Sequence, residues 1–255
     1  MAALYRNALM HQHLADATFR IVTGNSSGSG FSYINDRLVI TNHHVIEPHL
    51  ISGTAIQAIT ESGVSLPAQL VAFSDKNQFD FAILELQQAL PNGRNVLRPS
   101  VMPNTSRGSR VIFAGFPHGI PHLLVHEAVV SAPLGQHAFY VDGSINGGNS
   151  GGPIINANTG EVIGIVTQRR FLGGQDLENI APQLQQLSQH CAAIAGRGRV
   201  EIMGINFGDF AAMMAQGLGA MSQVIHANAN SGIGIGFNIQ FVNIELQKRN
   251  LFQNV

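Results

Sequence analysis

Ser150 stands in "NGGNSGGPIIN", residues 146–156, with Gly148 on one side and Gly151 and Gly152 on the other. A serine nucleophile needs a tight turn that leaves its hydroxyl exposed. The glycines let the backbone approach a substrate and aim amides at a developing oxyanion. Gly148 N–H and Ser150 N–H are the natural donors, with Asn149 between them. A serine is a weak nucleophile until a base serves it. Upstream, the apolar run "RLVIT" ends in Asn42 and two adjacent histidines, His43 and His44. A third group that orients the base is available in Asp80, at the head of the apolar stretch "QFDFAILEL". A carboxylate there is half buried and holds an imidazole in one tautomer. Asp75, in the polar, turn-like "FSDKN", competes for that role. Alone, Asp80 reads as an ordinary strand start; with Ser150 and a histidine it completes a set for acyl transfer.

The same letters satisfy G-x-S-x-G, the nucleophile elbow of another hydrolase architecture. An elbow leads from a strand into a helix, with the acid and then the histidine downstream. Here "GGPIINANTGEVIGI" carries Pro and Gly and then strand-like residues. The downstream candidates, Asp209 and His226, lie in or beside a Met-rich helical stretch. The upstream order, histidine then aspartate then serine, fits a β-barrel frame better.

The elements around these residues support that frame. The chain has 255 residues, a net charge of −1 and 11% charged residues, which argues against a nucleic-acid surface as its main business. One cysteine, Cys191, allows no internal disulfide. The N-terminus does not read as a signal peptide, and no apolar run reaches the roughly 18 residues of a membrane span. A soluble, cytoplasmic protein is expected, or an exported one if the chain is a processed form. Residues 1–18 carry Leu4, Leu9, Leu14 and Ala17 at loosely helical spacing. From 19 to 170, short apolar or alternating runs are punctuated by "SSGSG", "PNG" and "ANTG", the rhythm of an all-β sandwich or barrel. After Arg170, Leu177, Ile180, Leu184, Leu187, Cys191 and Ile194 fall at helical spacing. Phe210, Met213, Met214, Leu218, Met221 and Ile225 mark a second amphipathic helix whose methionines are expected to fill a core. "RVEIMGI" reads as a short strand, and "SGIGIGFNIQFV" returns to strand.

Taken together, "GSGFSYI", "VITNHHVIE", "DFAILEL", "YVDGSINGGNSGGPIIN", "GEVIGIVTQ" and "GIGFNI" resemble the trypsin-like, chymotrypsin-fold serine proteases, in their HtrA/DegP-type branch. The likeness runs from about residue 29 to 170 and resumes from 232 to 242. It implies an all-β core of two packed six-stranded antiparallel β-barrels, with a helical insertion before the last strand. The implied division is an N-terminal segment 1–18, a first barrel 19–95 bearing the histidine and aspartate, and a second barrel 96–255 bearing the serine and containing the insertion 171–232. The family pattern puts the catalytic histidine directly before the valine, which selects His44 and makes His43 a bystander. Catalytic His44, Asp80 and Ser150 with an oxyanion segment Gly148, Asn149 and Ser150 are thus implied, for peptide-bond hydrolysis in protein or peptide substrates.

The resemblance also carries departures. "FRIVTG" looks like the junction cut in trypsin-type zymogens, but Asn149 supplies no carboxylate for a freed amino terminus. Activation through loop order in "GFPHGIPHLLVH" and "DGSINGG", or through a partner, is expected instead. The implied specificity pocket has Ser144 at its base, Thr167, Gln168 and Arg169 along a wall, and Ile235 opposite. With no carboxylate at the base, small or medium apolar side chains are expected rather than Lys or Arg; selection of an acidic side chain by Arg169 is the other reading. Residues 171–232, beside that pocket in the family pattern, are either a recognition or partner-docking element or an inert elaboration. No PDZ-like segment is expected, no cofactor, metal, nucleic acid or membrane is implied, and oligomeric state is left open. His118, His122 and His126 recur every four residues, but Pro117 and Pro121 break any helix, so they read as surface histidines rather than metal ligands. "SSGSG" lacks the Lys-Ser/Thr ending of a phosphate loop. A protease-fold module that is latent or has lost turnover is the alternative function.

Overall fold

A computed structural model describes residues 2–100, 102–169, 174–196, 201–202, 204–228 and 232–252. The chain opens with helix α1, Ala2–Ala17. The strands β1 (Thr18–Thr23), β2 (Ser26–Ser32), β3 (Leu38–Thr41), β4 (Ile56–Ile59), β5 (Ser65–Ser74) and β6 (Phe81–Leu86) follow, with the short helix α2 (Glu47–Ser52) between β3 and β4. They close in the order β1-β2-β3-β6-β5-β4. The next strands are β7 (Arg110–Gly115), β8 (Leu124–Leu134), β9 (Ala138–Asp142), β10 (Pro153–Asn156) and β11 (Val162–Arg169).

An insertion then separates β11 from the last strand. It contains α3 (Gly174–Ala195), a two-stranded ribbon of β12 (Glu201–Ile202) and β13 (Ile205–Asn206), and α4 (Phe207–Asn228). Strand β14 (Ile233–Asn238) closes the second barrel in the order β10-β11-β14-β9-β8-β7. The fold is therefore two six-stranded antiparallel barrels, with helices before the last strand. By compactness residues 1–169 and 232–255 form one unit and residues 170–231 another.

Burial explains why several strands read as continuous apolar runs. Leu38–Thr41 is buried along its whole length, and β6 at five of six positions. One face of each strand fills a barrel and the other packs outward, so simple alternation is lost. Phe19, Ile21, Val39, Leu66 and Leu84 fill the first barrel; Phe113, Phe139, Val141, Ile154 and Val166 fill the second. A third cluster joins Phe31, Ile40 and Ile83 of the first barrel to Ile112, Ile155 and Ile165 of the second, and takes in Leu14 of α1. Fully burying an aliphatic or Phe side chain is worth roughly 1.5–3 kcal/mol, so this cluster gives the two barrels a strong reason to stay together.

Three expectations need correction. "GIGFNIQFV" is not strand throughout. Strand β14 stops at Asn238, whose Oδ1 accepts the Gln240 amide at 3.0 Å, and helix α5 runs Gln240–Lys248. Val242 and Leu246, four residues apart, bury into the inter-barrel cluster. The second correction concerns α4. Phe210, Met213 and Met221 are exposed, and the buried residues are Ala211, Ala215 and Ser222. Small side chains let α3 and α4 approach closely. Ser222 Oγ donates to the Ala181 carbonyl at 3.0 Å and Ser188 Oγ to that of Ala215 at 2.7 Å. The methionine face is not the one that packs.

His126 also departs from a surface histidine. It lies on β8, stacked 4.8 Å from the Phe113 ring, with its Nε2 buried and unpartnered. Burial lowers its pKa below the 6.5 of an unfolded histidine. Protons therefore bind the unfolded chain more readily than the native one. This costs nothing well above pH 6.5 and removes stability as pH falls below it. His126→Phe, which keeps the stack and removes the titrating group, should flatten the loss of Tm between pH 7 and 5 in a thermal melt. An unchanged slope would show that other groups set it.

Candidate active site

The site is assembled from the ends of strands in both barrels. After β3, Asn42 and His43 turn the chain, and the His43 carbonyl accepts the Ile46 amide at 3.0 Å. Pro48, in the first turn of α2, is tolerated there because its missing N–H is one the helix start leaves unpaired anyway. His44 sits in this turn with its side chain one-third exposed. His43 is buried, its ring lies 5.1 Å from that of Phe73, and its Nδ1 has no partner.

Asp80 immediately precedes β6 and is 1% exposed. Its φ of 45° lies in the left-handed region, where an aspartate is uncommon and held only by its surroundings. Its amide donates to the Asp75 carbonyl at 3.1 Å, and its own carbonyl accepts Asn42 Nδ2 at 2.5 Å. Asp75 is exposed and serves that turn, its Oδ1 accepting the Asn77 amide. The Asp80 carboxylate takes three donors. Oδ1 accepts the His44 amide at 3.1 Å, and Oδ2 accepts His44 Nδ1 at 2.8 Å and Thr167 Oγ1 at 2.6 Å. A buried carboxylate needs such partners. With Nδ1 carrying the donated proton, His44 Nε2 is the ring nitrogen left to accept one.

Ser150 follows a loop stitched to its neighbours by backbone. Its carbonyl accepts the Ser29 amide at 2.8 Å, the Gly151 amide donates to Val166 at 2.7 Å, and Val166 N–H returns to the Gly152 carbonyl at 2.9 Å. The Ser150 hydroxyl donates to the Thr167 carbonyl at 3.0 Å, and no hydrogen bond joins it to His44. Thr167 therefore touches both the acid, through its hydroxyl, and the serine, through its carbonyl.

Two glycines are required by geometry rather than by habit. Gly148 has φ 95°, and a Cβ there would meet the Phe116 carbonyl and the His118 amide. Gly151 has φ 88°, and a Cβ would meet the Ser29 carbonyl and Thr41 Oγ1. The amides of Gly148 and Ser150 donate to no protein acceptor among the described residues.

The expected pocket residues are dispersed in role. Ser144 is exposed. Thr167 is buried and its hydroxyl is spent on Asp80. Ile235 is buried on β14, its backbone paired with that of Gln168, and Arg169 pairs with Gly234. The side chains of Gln168 and Arg169 lie outside the described residues. Ile145, which spacing did not single out, is buried against Gly234 so closely that a Cβ there would have to displace its side chain.

Ser29 was not singled out by the sequence, whereas His118, Asn149, Arg20 and Ile21 were. Ser29 Oγ donates to the Gly148 carbonyl at 2.7 Å and accepts the Phe116 amide at 2.9 Å. His118 N–H holds the Gly147 carbonyl at 2.7 Å, while its ring Nε2 lies 3.1 Å from the Ser27 carbonyl. Asn149 is fully buried with neither amide atom partnered. Arg20 and Ile21 lie inside β1, paired on both sides with β2 and β4. Among the described residues no group of His, Cys, Asp or Glu is arranged to hold a metal ion.

Residues 28–165, more than half of the chain, match the trypsin-like peptidase domain family. The chain belongs to that family. Its curated relatives include HtrA/DegP serine proteases. The chloroplastic protease Do-like 1 of Arabidopsis thaliana is 30% identical over 155 residues, covering 55% of this chain and 33% of that protein. A probable periplasmic DegP-like serine endoprotease of Chlamydia trachomatis is 32% identical over 150 residues, covering 55% and 28%. The chain thus spans about a third of the length of such relatives. Among solved structures, a serine endoprotease from Yersinia pestis superimposes with a TM-score of 0.54 at 24% identity, over 64% of this chain and 57% of that one. Rv3671c of M. tuberculosis H37Rv, solved in an inactive mutant form, gives 0.59 at 18% identity over 100% and 96%. At these identities the structures speak for the fold.

Proposed function

We propose that the chain is a serine endopeptidase acting on protein substrates through an acyl-enzyme on Ser150. The observation that carries this is the His44 Nδ1–Asp80 Oδ2 contact of 2.8 Å on a buried carboxylate, with Ser150 held by the very residue, Thr167, that also binds Asp80. His44 Nε2 takes the proton of Ser150 as Oγ attacks the peptide carbonyl. Asp80 holds the ring and stabilises its charged form. Gly148 N–H and Ser150 N–H stabilise the tetrahedral oxyanion. His44 then returns the proton to the leaving amine, and water repeats the sequence on the acyl-enzyme.

The serine must first leave the Thr167 carbonyl. That is one rotation about a side-chain bond and the exchange of one hydrogen bond, worth about 0.5–1.5 kcal/mol net. Such a cost is small beside the barrier lowered by a working triad. Regulation by loop order fits Asn149, whose buried amide would gain about 1–3 kcal/mol for each atom that found a partner in another arrangement. His118, holding Gly147, ties the same loop to residues 115–126. Cleavage at Arg20–Ile21 would cut a strand paired on both edges, so zymogen processing there is disfavoured. No carboxylate stands at Ser144, so small or medium apolar side chains are the preferred substrates in this reading rather than Lys or Arg. The exposed apolar side chains of α3 and α4 make the insertion the proposed place for a regulatory protein partner.

Wild type and Ser150→Ala should be incubated with a fluorophosphonate probe and with casein, with and without cell extract. Labelling and cleavage by wild type alone are expected. Labelling that survives in Ser150→Ala would remove Ser150 from its role. A wild type that labels only with extract would identify the latent form, and one that never labels would identify a binding module.

A further inference from the structure

A cavity of about 740 Å³ lies among α1, the connector between the barrels and the β10–β11 turn. It has no part in the chemistry above. Its volume falls within the range of small-molecule sites, about 300–1,000 Å³. Three basic side chains line it: His13 of α1 and Arg94 and Arg98 of the connector. Two carboxylates line it as well, Asp16 and Glu161. Asp16 acts through its charge on both His13 and Arg94, but no ion pair closes the set among the described residues.

Asp16 accepts neutral donors, Gln12 Nε2 at 2.9 Å and Asn95 Nδ2 at 3.5 Å, and Glu161 accepts Thr159 Oγ1 at 3.2 Å. No carboxylate lies within ion-pair distance of Arg94 or Arg98 among the described residues. Arg94 donates one Nη2 bond to the Thr18 carbonyl at 2.6 Å and lies 4.4 Å over the Phe19 ring, which fixes its orientation. Its Nε is buried without a partner. Arg98 has its backbone pinned, its carbonyl accepting the Val162 amide at 2.9 Å, while its side chain is exposed and makes no hydrogen bond. Burial lowers the pKa of His13; Asp16 opposes this, and Arg98 adds a smaller effect in the same direction as burial. Met10 supplies apolar wall.

A held guanidinium with spare donor capacity, a second one free to swing and a neighbouring imidazole form a site for a negative group. Guanidinium forks match carboxylate and phosphate oxygens alike. We infer that this cavity binds a small organic anion, with a carboxylate or phosphate group placed between Arg94 and Arg98 and an apolar portion against Met10. Such a ligand would touch α1, the connector and the β10–β11 turn at once. The connector in turn bridges the barrels, Leu97 pairing with Tyr33 and Pro99 with Val162. Occupancy therefore stabilises the native unit.

The test uses the full chain carrying Ser150→Ala, to prevent self-cleavage. Phenyl phosphate, phenylacetate and benzyl alcohol are titrated calorimetrically at fixed ionic strength, with Tm followed in parallel. At least one anion should bind saturably and raise Tm, while benzyl alcohol binds at least tenfold more weakly. The two anions separate a phosphate source from a carboxylate one by their relative affinity. Arg98→Gln, at an exposed side chain without hydrogen bonds, should weaken binding about tenfold and leave the unliganded Tm unchanged; Arg98→Glu should weaken it further. No saturable binding by either anion, equal binding of benzyl alcohol, or undiminished affinity in both Arg98 variants would overturn the inference.

Discussion

His44→Ala lowers kcat/KM for a peptide substrate by on the order of 10⁴ to 10⁶, while His43→Ala leaves it within about tenfold. The two histidines are adjacent in sequence and opposite in placement. The His44 ring contacts the Asp80 carboxylate at 2.8 Å and keeps one-third of its surface open. His43 is buried beside Phe73. Removing the His44 imidazole leaves Ser150 without a proton acceptor, and only binding and the oxyanion amides remain. Removing that of His43 leaves a small cavity under Phe73, a cost in stability rather than in chemistry. Measuring kcat and Tm for both variants separates the effects: His44→Ala should lose rate with little change in Tm, and His43→Ala the reverse. A comparable loss of rate in both, at full folding, would mean that the imidazole serving Ser150 has been misassigned.

How much of this was legible in the sequence follows from what kind of signal each residue leaves. The barrels were visible because turns and short apolar runs are local features, and because "GGNSGGP" and "TNHHV" are dense in residue types that chemistry demands. Helix α5 was missed because Phe241 and Val242 extend the apolar rhythm of β14, and only Asn238, by capping the Gln240 amide, ends it. The α4 packing face was misread because large apolar residues signal burial, whereas two closely packed helices select small ones. Support for the site was hidden for a deeper reason. Ser29, 119 positions before Gly148, and Thr167, 87 after Asp80, act only through tertiary contact, and each is an ordinary residue in its own strand. Long-range hydrogen bonds leave no periodicity to read.

Asp80→Asn should cost about 10⁴-fold in kcat while leaving substrate affinity nearly unchanged, a loss close to that of removing His44. The amide is the same size and can still accept one donor, so the fold should survive. What changes is the direction of the hydrogen bonds. Oδ2 receives two donors, His44 Nδ1 and the Thr167 hydroxyl, and Oδ1 receives the His44 amide. An asparagine has one acceptor atom for these three donors. With its oxygen retained by the His44 amide, its Nδ2 faces Nδ1 as a second donor. The ring is then driven to carry its proton on Nε2, where it cannot take one from Ser150. Thr167→Val removes one of the three donors without reversing any, so its cost should be far smaller, about tenfold. The ratio of the two losses is the informative quantity. A large ratio means Asp80 works by fixing the imidazole tautomer and balancing its charge. Equal losses would mean that the carboxylate merely braces the turn before β6, where its own backbone sits at a φ of 45°.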